Sequence, residues 1–222
     1  KLLYLTSIML FSISAINAQT TTWDIGNNST VLNDATAITT EWPIGTAFLS
    51  ETVKSGLGIF PGSGVTTFGA ISGQVASGFS DGYTCPNRFP TGGASGGSAT
   101  ALPTTRYLYF NVSGACTIKV WFKGGNTTST RTLFVSDGTT VLGSGASVNG
   151  AALIVSATAT AAGKHYVYCD NGNSIYKIEI TGATVNTPAL STKDFQKELD
   201  VTVFAKDGKI NLSNIKSSTT VN

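Results

Sequence analysis

Between Arg106 and Gly182 apolar and polar positions alternate with a period of two. Six runs follow in order: RYLYFNVSG, CTIKVWFKGG, TRTLFVSDGTTVLGS, AALIVSATATAAG, KHYVYCDNG and SIYKIEITG. Each holds about five to eight residues rich in Val, Ile, Thr, Tyr and Phe, and each ends in a turn signal such as Ser-Gly, Gly-Gly, Asp-Gly or Asn-Gly. Turns recur about every ten residues, the spacing of an antiparallel β-sandwich or barrel. A parallel α/β fold is excluded, because no crossover helices separate the runs. The expected class is all-β, an antiparallel sandwich of jelly-roll type. Alternation also assigns faces. Ile118, Val120 and Phe122 form an inner set, with Lys119, Trp121 and Lys123 opposite. Tyr176, Ile178 and Ile180 are expected inside, with Lys177 and Glu179 outside. Tyr166 and Tyr168 share one face, and His165, Val167 and Cys169 the other.

The flanks read differently. Residues 19–105 are irregular, dense in Gly, Ser and Thr and punctuated by Pro43, Pro61, Pro86, Pro90 and Pro103. TTWDIGNNSTV predicts one short strand with Trp23 and Ile25 on one face. GLGIFPGSG (56–64) and TGGASGGSAT (91–100) are loop compositions, the second close to a flexible surface loop. Neither is a phosphate loop, which needs Lys-Ser/Thr after its glycines and a following helix. After Gly182, ATVNTPALSTKD (183–194) reads as a polar linker. LDVTVFAKDGKINLSNIKSSTTVN (199–222) then reads as a strand, a Lys-Asp-Gly turn, a second strand and the opening of a third. The main domain is therefore placed at 19–182 and the start of a second, truncated one at 195–222.

At the other end stands KLLYLTSIMLFSISAINAQT. One positive charge, an apolar run and small residues before Gln19 are the layout of a secretory signal peptide over residues 1–18, with cleavage after Ala18. The run is shorter than the roughly 20 residues of a membrane-spanning helix. No later segment is apolar enough to span a bilayer, so no transmembrane segment is expected in the mature chain. The missing Met and the interrupted third strand lead us to expect a longer protein at both ends.

Composition narrows the function. The formal net charge is +2, from 14 basic and 12 acidic residues, and charged residues make up only 12% of the chain. Nucleic-acid binding, which wants a concentrated basic surface, is excluded. The hydroxyl-rich composition suits an extracellular protein. Three cysteines, Cys85, Cys116 and Cys169, lack Cys-x-x-Cys spacing, and with one histidine in the chain a zinc site is not expected. Export permits a Cys116–Cys169 bridge if their strands are neighbours; small, partly buried thiols fit the sequence equally.

Candidate chemistry is sparse. The single histidine, His165, lies within a strand, and no Gly-x-Ser-x-Gly elbow joins a strand to a helix. Asp137 and Asp170 sit in turns, where Asp bonds local backbone. A hydrolase working with two carboxylates is therefore the least favoured reading. DNGNS offers Asp170, Asn171 and Asn173 as oxygen ligands, the opening of a calcium loop, but the distal bidentate Glu is absent. Structural calcium is kept only as a minor expectation beside a plain hairpin turn, and no other cofactor is expected. Trp121 is the leading candidate for stacking on a sugar, because its lysine neighbours place it on the polar face; coverage by a long loop explains it equally well. In SDGYTCPNRF, the side chains of Asp81, Tyr83, Asn87 and Arg88 are suited to reading hydroxyls, and a packed loop tied down by Tyr83 is the alternative.

The runs from Arg106 to Gly182 resemble a recurrent β-sandwich module of type IX secretion substrates, often found beside pectate-lyase-like domains. The tail resembles the C-terminal sorting domain read by that secretion system. It departs in having Ala205-Lys206 where Asn-Pro often follows the first strand, and in lacking the closing strands. The resemblance implies a secreted or cell-surface, non-catalytic module that binds a polysaccharide or surface glycan, or acts as an adhesin, with the secretion machinery as a second partner. A self-assembling structural subunit is the alternative, ahead of a polysaccharide-degrading enzyme fragment.

Overall fold

The computed structural model describes residues 19–34, 42–96 and 101–188, together with the backbone of two strands at 202–206 and 209–213. The chain divides into two compact units, residues 1–188 and 189–222. The first is an all-β sandwich of two seven-stranded sheets. The expected signal peptide and the linker beyond Pro188 lie outside the described residues.

One sheet runs in the order β11 (Ala152–Ala159), β8 (Cys116–Gly124), β13 (Asn173–Thr181), β1 (Thr20–Asp24) and β2 (Ser29–Val31). Beside the opening of β13 lies β6 (Cys85–Pro90), which in turn pairs with β5 (Ser72–Ala76). The other sheet runs β10 (Val141–Ser147), β9 (Arg131–Ser136), β12 (Gly163–Cys169), β7 (Tyr107–Val112), β4 (Leu57–Phe60) and β3 (Thr52–Lys54), with β14 (Val185–Asn186) along the end of β7. All pairings between these strands are antiparallel. In the second unit, β15 (Thr202–Lys206) and β16 (Lys209–Ser213) pair as an antiparallel hairpin, with Thr202 opposite Ser213.

The core lies between the sheets and follows the alternation. Ile118, Val120 and Phe122 of β8 face Leu108, Phe110 and Val112 of β7, Leu133 and Val135 of β9, and Val167 and Cys169 of β12. Trp23 is fully buried against Phe110, ring centroids 5.6 Å apart, and its indole N–H donates to the Ser55 carbonyl at 2.8 Å. Burial of this apolar surface, worth about 25 cal/mol per Å², is what stabilises the sandwich.

Four expectations change. The stretch before residue 90 holds six short strands; their Gly and Pro breaks hid the alternation. The linker begins later, because Ala183 and Val185 enter the core and β14 extends the second sheet. The start of the Gly-Ser stretch is pinned: the Thr91 amide donates to the Asn173 carbonyl and the Ser95 amide to the Cys169 carbonyl, both at 2.9 Å. Residues 97–100 lie outside the described residues. Finally, Tyr176 faces outward. In the β13–β8 ladder Ile175 pairs with Phe122 and Lys177 with Trp121, so Tyr176 is an inserted residue, a β-bulge. The bulge resets the period, putting Ile175 in the core with Ile178 and Ile180.

The three cysteines are buried and free. Cys116 and Cys169 lie on strands of opposite sheets, so the condition for a bridge between them is not met and the reading as small buried thiols holds. Burial pushes the Cys169 thiol up to about 12, so it stays protonated at neutral pH.

Strands β10 and β11 belong to different sheets but follow each other through a 3-10 turn at Val148–Gly150. Two glycines let them approach. A Cβ on Gly143 would stand 2.7 Å from the Ser156 carbonyl oxygen; one on Gly145 would stand 2.6 Å from Val155 Cγ2. Backbone cannot yield as a valine methyl can. Gly143→Ala is therefore expected to cost about 1–3 kcal/mol in urea unfolding, and Gly145→Ala clearly less. Equal costs would show that the sheets are free to separate at this edge.

His165 is 3% exposed and lies over Phe110 at 6.0 Å, with Nδ1 3.2 Å from the Gly163 carbonyl. Burial depresses its pKa below the ordinary 6.5, against the opposing pull of that carbonyl and of Asp137. The folded state thus holds a neutral imidazole that the unfolded chain protonates more readily. Stability is present above pH 6.5 and is lost as pH falls through that value toward the folded pKa. Urea unfolding from about pH 7 to about pH 5 should show this loss, and His165→Gln should flatten the slope over that window.

Candidate functional site: an aromatic platform on the second sheet

The two outer faces of the sandwich are finished differently. On the first sheet Trp121 does point away from the core, as its lysine neighbours imply, but it is only 3% exposed. The loop between β5 and β6 folds over it and makes a second, smaller cluster from Ala76, Phe79, Cys85, Trp121 and Tyr176. Phe79 meets Tyr83 and Tyr176 edge-on, at 5.6 and 5.7 Å. The Trp121 indole N–H donates to Asp81 Oδ2 at 2.9 Å, and the Lys177 ammonium sits 3.6 Å from its ring centroid. Burial works against ionisation of Asp81, but the Tyr83 amide, the Trp121 indole and Lys177 together hold its carboxyl below the usual range. Trp121 therefore presents no open face for a sugar. Coverage by the loop is what the structure shows.

The other residues expected to read hydroxyls also make contacts within the scaffold. The Tyr83 hydroxyl donates to Asp24 Oδ1. The Asn87 amide donates to the Gly26 carbonyl at 3.3 Å. Arg88 Nε donates to the Ser72 hydroxyl at 3.1 Å, and its Nη1 to the Ser174 hydroxyl at 3.5 Å. Asp81 and Tyr83 sit over Trp121, whereas Asn87 and Arg88 lie on β6, so the four do not form one set. In the DNGNS turn, Asp170 Oδ1 accepts from the Thr132 amide at 2.8 Å and Asn171 Oδ1 from the Gly172 amide at 2.7 Å. Asn173 is buried, with its Nδ2 donating to the Thr132 carbonyl at 3.4 Å. These contacts make a hairpin connection. Among the described residues no group of three His, Cys, Asp or Glu side chains stands together to hold a metal.

On the second sheet the outward positions carry aromatics instead. Alternation sends Tyr107 and Tyr109 of β7 and Tyr166 and Tyr168 of β12 to the same outer face, where strand pairing sets Tyr166 directly opposite Tyr109. Phe60 of β4 pairs with Tyr107, and Phe134 of β9 with Tyr168. Phe60 stacks on Tyr107 with centroids 4.6 Å apart and planes 15° from parallel. Tyr166 meets Tyr107 edge-on at 5.6 Å. Phe60, Tyr107 and Tyr166 are half-buried, while Tyr109, under the Lys164 ammonium, and Tyr168, stacked on Phe134, are fully buried.

Tyr109 is fixed from two sides. Gly58, opposite Tyr109, leaves room for its ring, since a Cβ there would lie 2.2 Å from Tyr109 Cζ. The Tyr109 hydroxyl donates to Glu51, and the Lys164 ammonium lies 3.9 Å from the Tyr109 ring centroid. Burial first, then the negative charge of Glu51, pushes the Tyr107 and Tyr109 phenols up; burial alone does so for Tyr166. All three remain protonated near neutral pH, so each hydroxyl keeps its proton, which in Tyr109 is given to Glu51. The arrangement is a row of mutually packed rings, Phe60 against Tyr107 and Tyr166 edge-on to it, with polar hydroxyls, a carboxylate and an ammonium at its margin.

Sequence reading placed Tyr166 and Tyr168 on one face but did not reach the platform. Strand faces are local information, whereas the pairing of β12 with β7 and of β7 with β4 is not. No family model and no curated protein sequence matches the chain. The class that the fold defines is an antiparallel β-sandwich.

Proposed function

We propose that this protein is a non-catalytic glycan-binding module whose contact surface is the Phe60–Tyr107–Tyr166 platform. The carrying observation is the outward aromatic set itself: three half-buried rings fixed on adjacent strands. Apolar sugar faces pack against the outward parts of these rings that their mutual contacts leave uncovered, and neighbouring hydroxyls, Glu51 and Lys164 meet the sugar's polar rim. Rigid aromatics on strands lose little conformational entropy on binding. The carboxylates of Asp137 and Asp170 are engaged by backbone amides, at 2.7 Å from Thr140 and 2.8 Å from Thr132, which suits structural roles better than catalysis. Affinity electrophoresis in soluble polysaccharides tests the reading. Tyr107→Ala and Tyr166→Ala should each weaken binding about tenfold, equivalent to ~1.4 kcal/mol, measured at a temperature where circular dichroism shows both variants fully folded. Trp121→Phe, made on the covered face, should leave binding intact. Retardation insensitive to both tyrosines would remove the platform from the account.

We further infer an exported protein, sorted to the cell surface through its tail. The apolar leader of residues 1–18 and the strand–turn–strand order of the tail support this, and the β15–β16 hairpin is consistent with it. Expressed in a bacterium with type IX secretion, a chain cut before Phe195 should fold but accumulate in the periplasm. Surface display of that shortened chain, measured by protease accessibility on intact cells, would refute the sorting role.

A further inference from the structure

One end of the sandwich holds a feature that neither outer face explains. Strands β7 and β9 both begin there, beside the end of β12 and the opening of β13. The intervening turns line an open, shallow cavity of about 350 Å³, with Arg88 and Arg131 among its lining residues. A third guanidinium does not line the cavity but packs against its wall: a Cβ on Gly93 would lie 3.3 Å from Arg106 Cζ, and Arg106 Nη1 donates to the Ala94 carbonyl at 3.4 Å. No carboxylate lines the cavity, and among the described residues none of these arginines forms an ion pair.

The walls are cut to fit the cations. Arg131 Nη1 donates to the Gly172 carbonyl and packs against bare backbone, since a Cβ on Gly125 or Gly172 would stand 3.0 or 3.1 Å from it. The Arg106 and Arg131 Nε atoms are buried and have no hydrogen-bond partner. Charge gathered this way, without acidic neighbours and with N–H donors unmet, costs stability in the free protein. It is the environment that an oxyanion would complete, because guanidinium matches the paired oxygens of a carboxylate or sulfate.

We propose that this end cavity binds the oxyanion of an acidic glycan, a uronate carboxylate or a sulfate ester, with Arg88 and Arg131 as its ligating residues and Arg106 as supporting charge. The choice of glycan as carrier rests on the platform reading; the oxyanion site itself does not. Binding of alginate oligosaccharides, dextran sulfate and neutral dextran is compared by calorimetry, and inorganic sulfate is titrated while following the arginine Nε–H resonances. Expected results are selective shifts of Arg88 or Arg131 on sulfate addition, and at least tenfold tighter binding of one acidic chain than of dextran. That preference should fall as salt is raised, should drop at least fivefold in Arg88→Gln, and should survive in Tyr166→Ala. The acidic chain that is preferred distinguishes carboxylate from sulfate.

Arg131→Lys, which keeps the charge but not the fork, serves where Arg131→Gln melts early, and should also weaken the preference. Sulfate shifts without any glycan binding would sink the platform reading and leave the oxyanion site standing. Equal affinity for acidic and neutral chains, or a preference unchanged in both arginine variants, would overturn the oxyanion site and leave the platform standing.

Discussion

Everything in this sandwich depends on the contact between the inner faces of two sheets. The described cysteines are unbridged, and a single ion pair, Lys177–Glu179 at 3.9 Å, is found among the described residues. Apolar burial therefore carries most of the stability, and the period-two alternation of each strand is the constraint that delivers it. Each strand commits half its side chains to the core. The other half is released for other uses, and the two outer faces use it in opposite ways.

On the first sheet the outward aromatics are withdrawn from water. Trp121 and Tyr176 lie under a loop fastened through Asp81, Tyr83 and Lys177. On the second, Tyr109 and Tyr168 are buried, while Phe60, Tyr107 and Tyr166 stay half-exposed and pack on one another. The asymmetry comes from where the long loops fall. The loop of eight residues between β5 and β6, 77–84, is enough to convert a candidate binding surface into a second small core.

What could be read from the sequence follows the range of the information. Strand existence and facing from Arg106 to Gly182 are local properties, and Ile118, Val120, Phe122, Val167 and Cys169 all lie where alternation puts them. Tyr176 does not, because a bulge adds one residue and nothing in SIYKIEITG marks the insertion. The fate of Trp121 was undecidable locally: its lysine neighbours fix which way it points, but its cover comes from residues some forty positions earlier, as the Asp81 bond shows. The platform and the arginine cluster were missed for the same reason. Arg88, Arg106 and Arg131 belong to three separate strand ends, and only the topology brings those ends together.

The three unbridged thiols carry a consequence of a different kind. Each is enclosed by the packed sandwich, Cys169 completely. The covalent chain is thus the same before and after folding, and no oxidase, isomerase or particular glutathione poise has to act on it. Assembly of this domain is set by water and sequence alone, so its fold is indifferent to the redox state of the compartment in which it is completed.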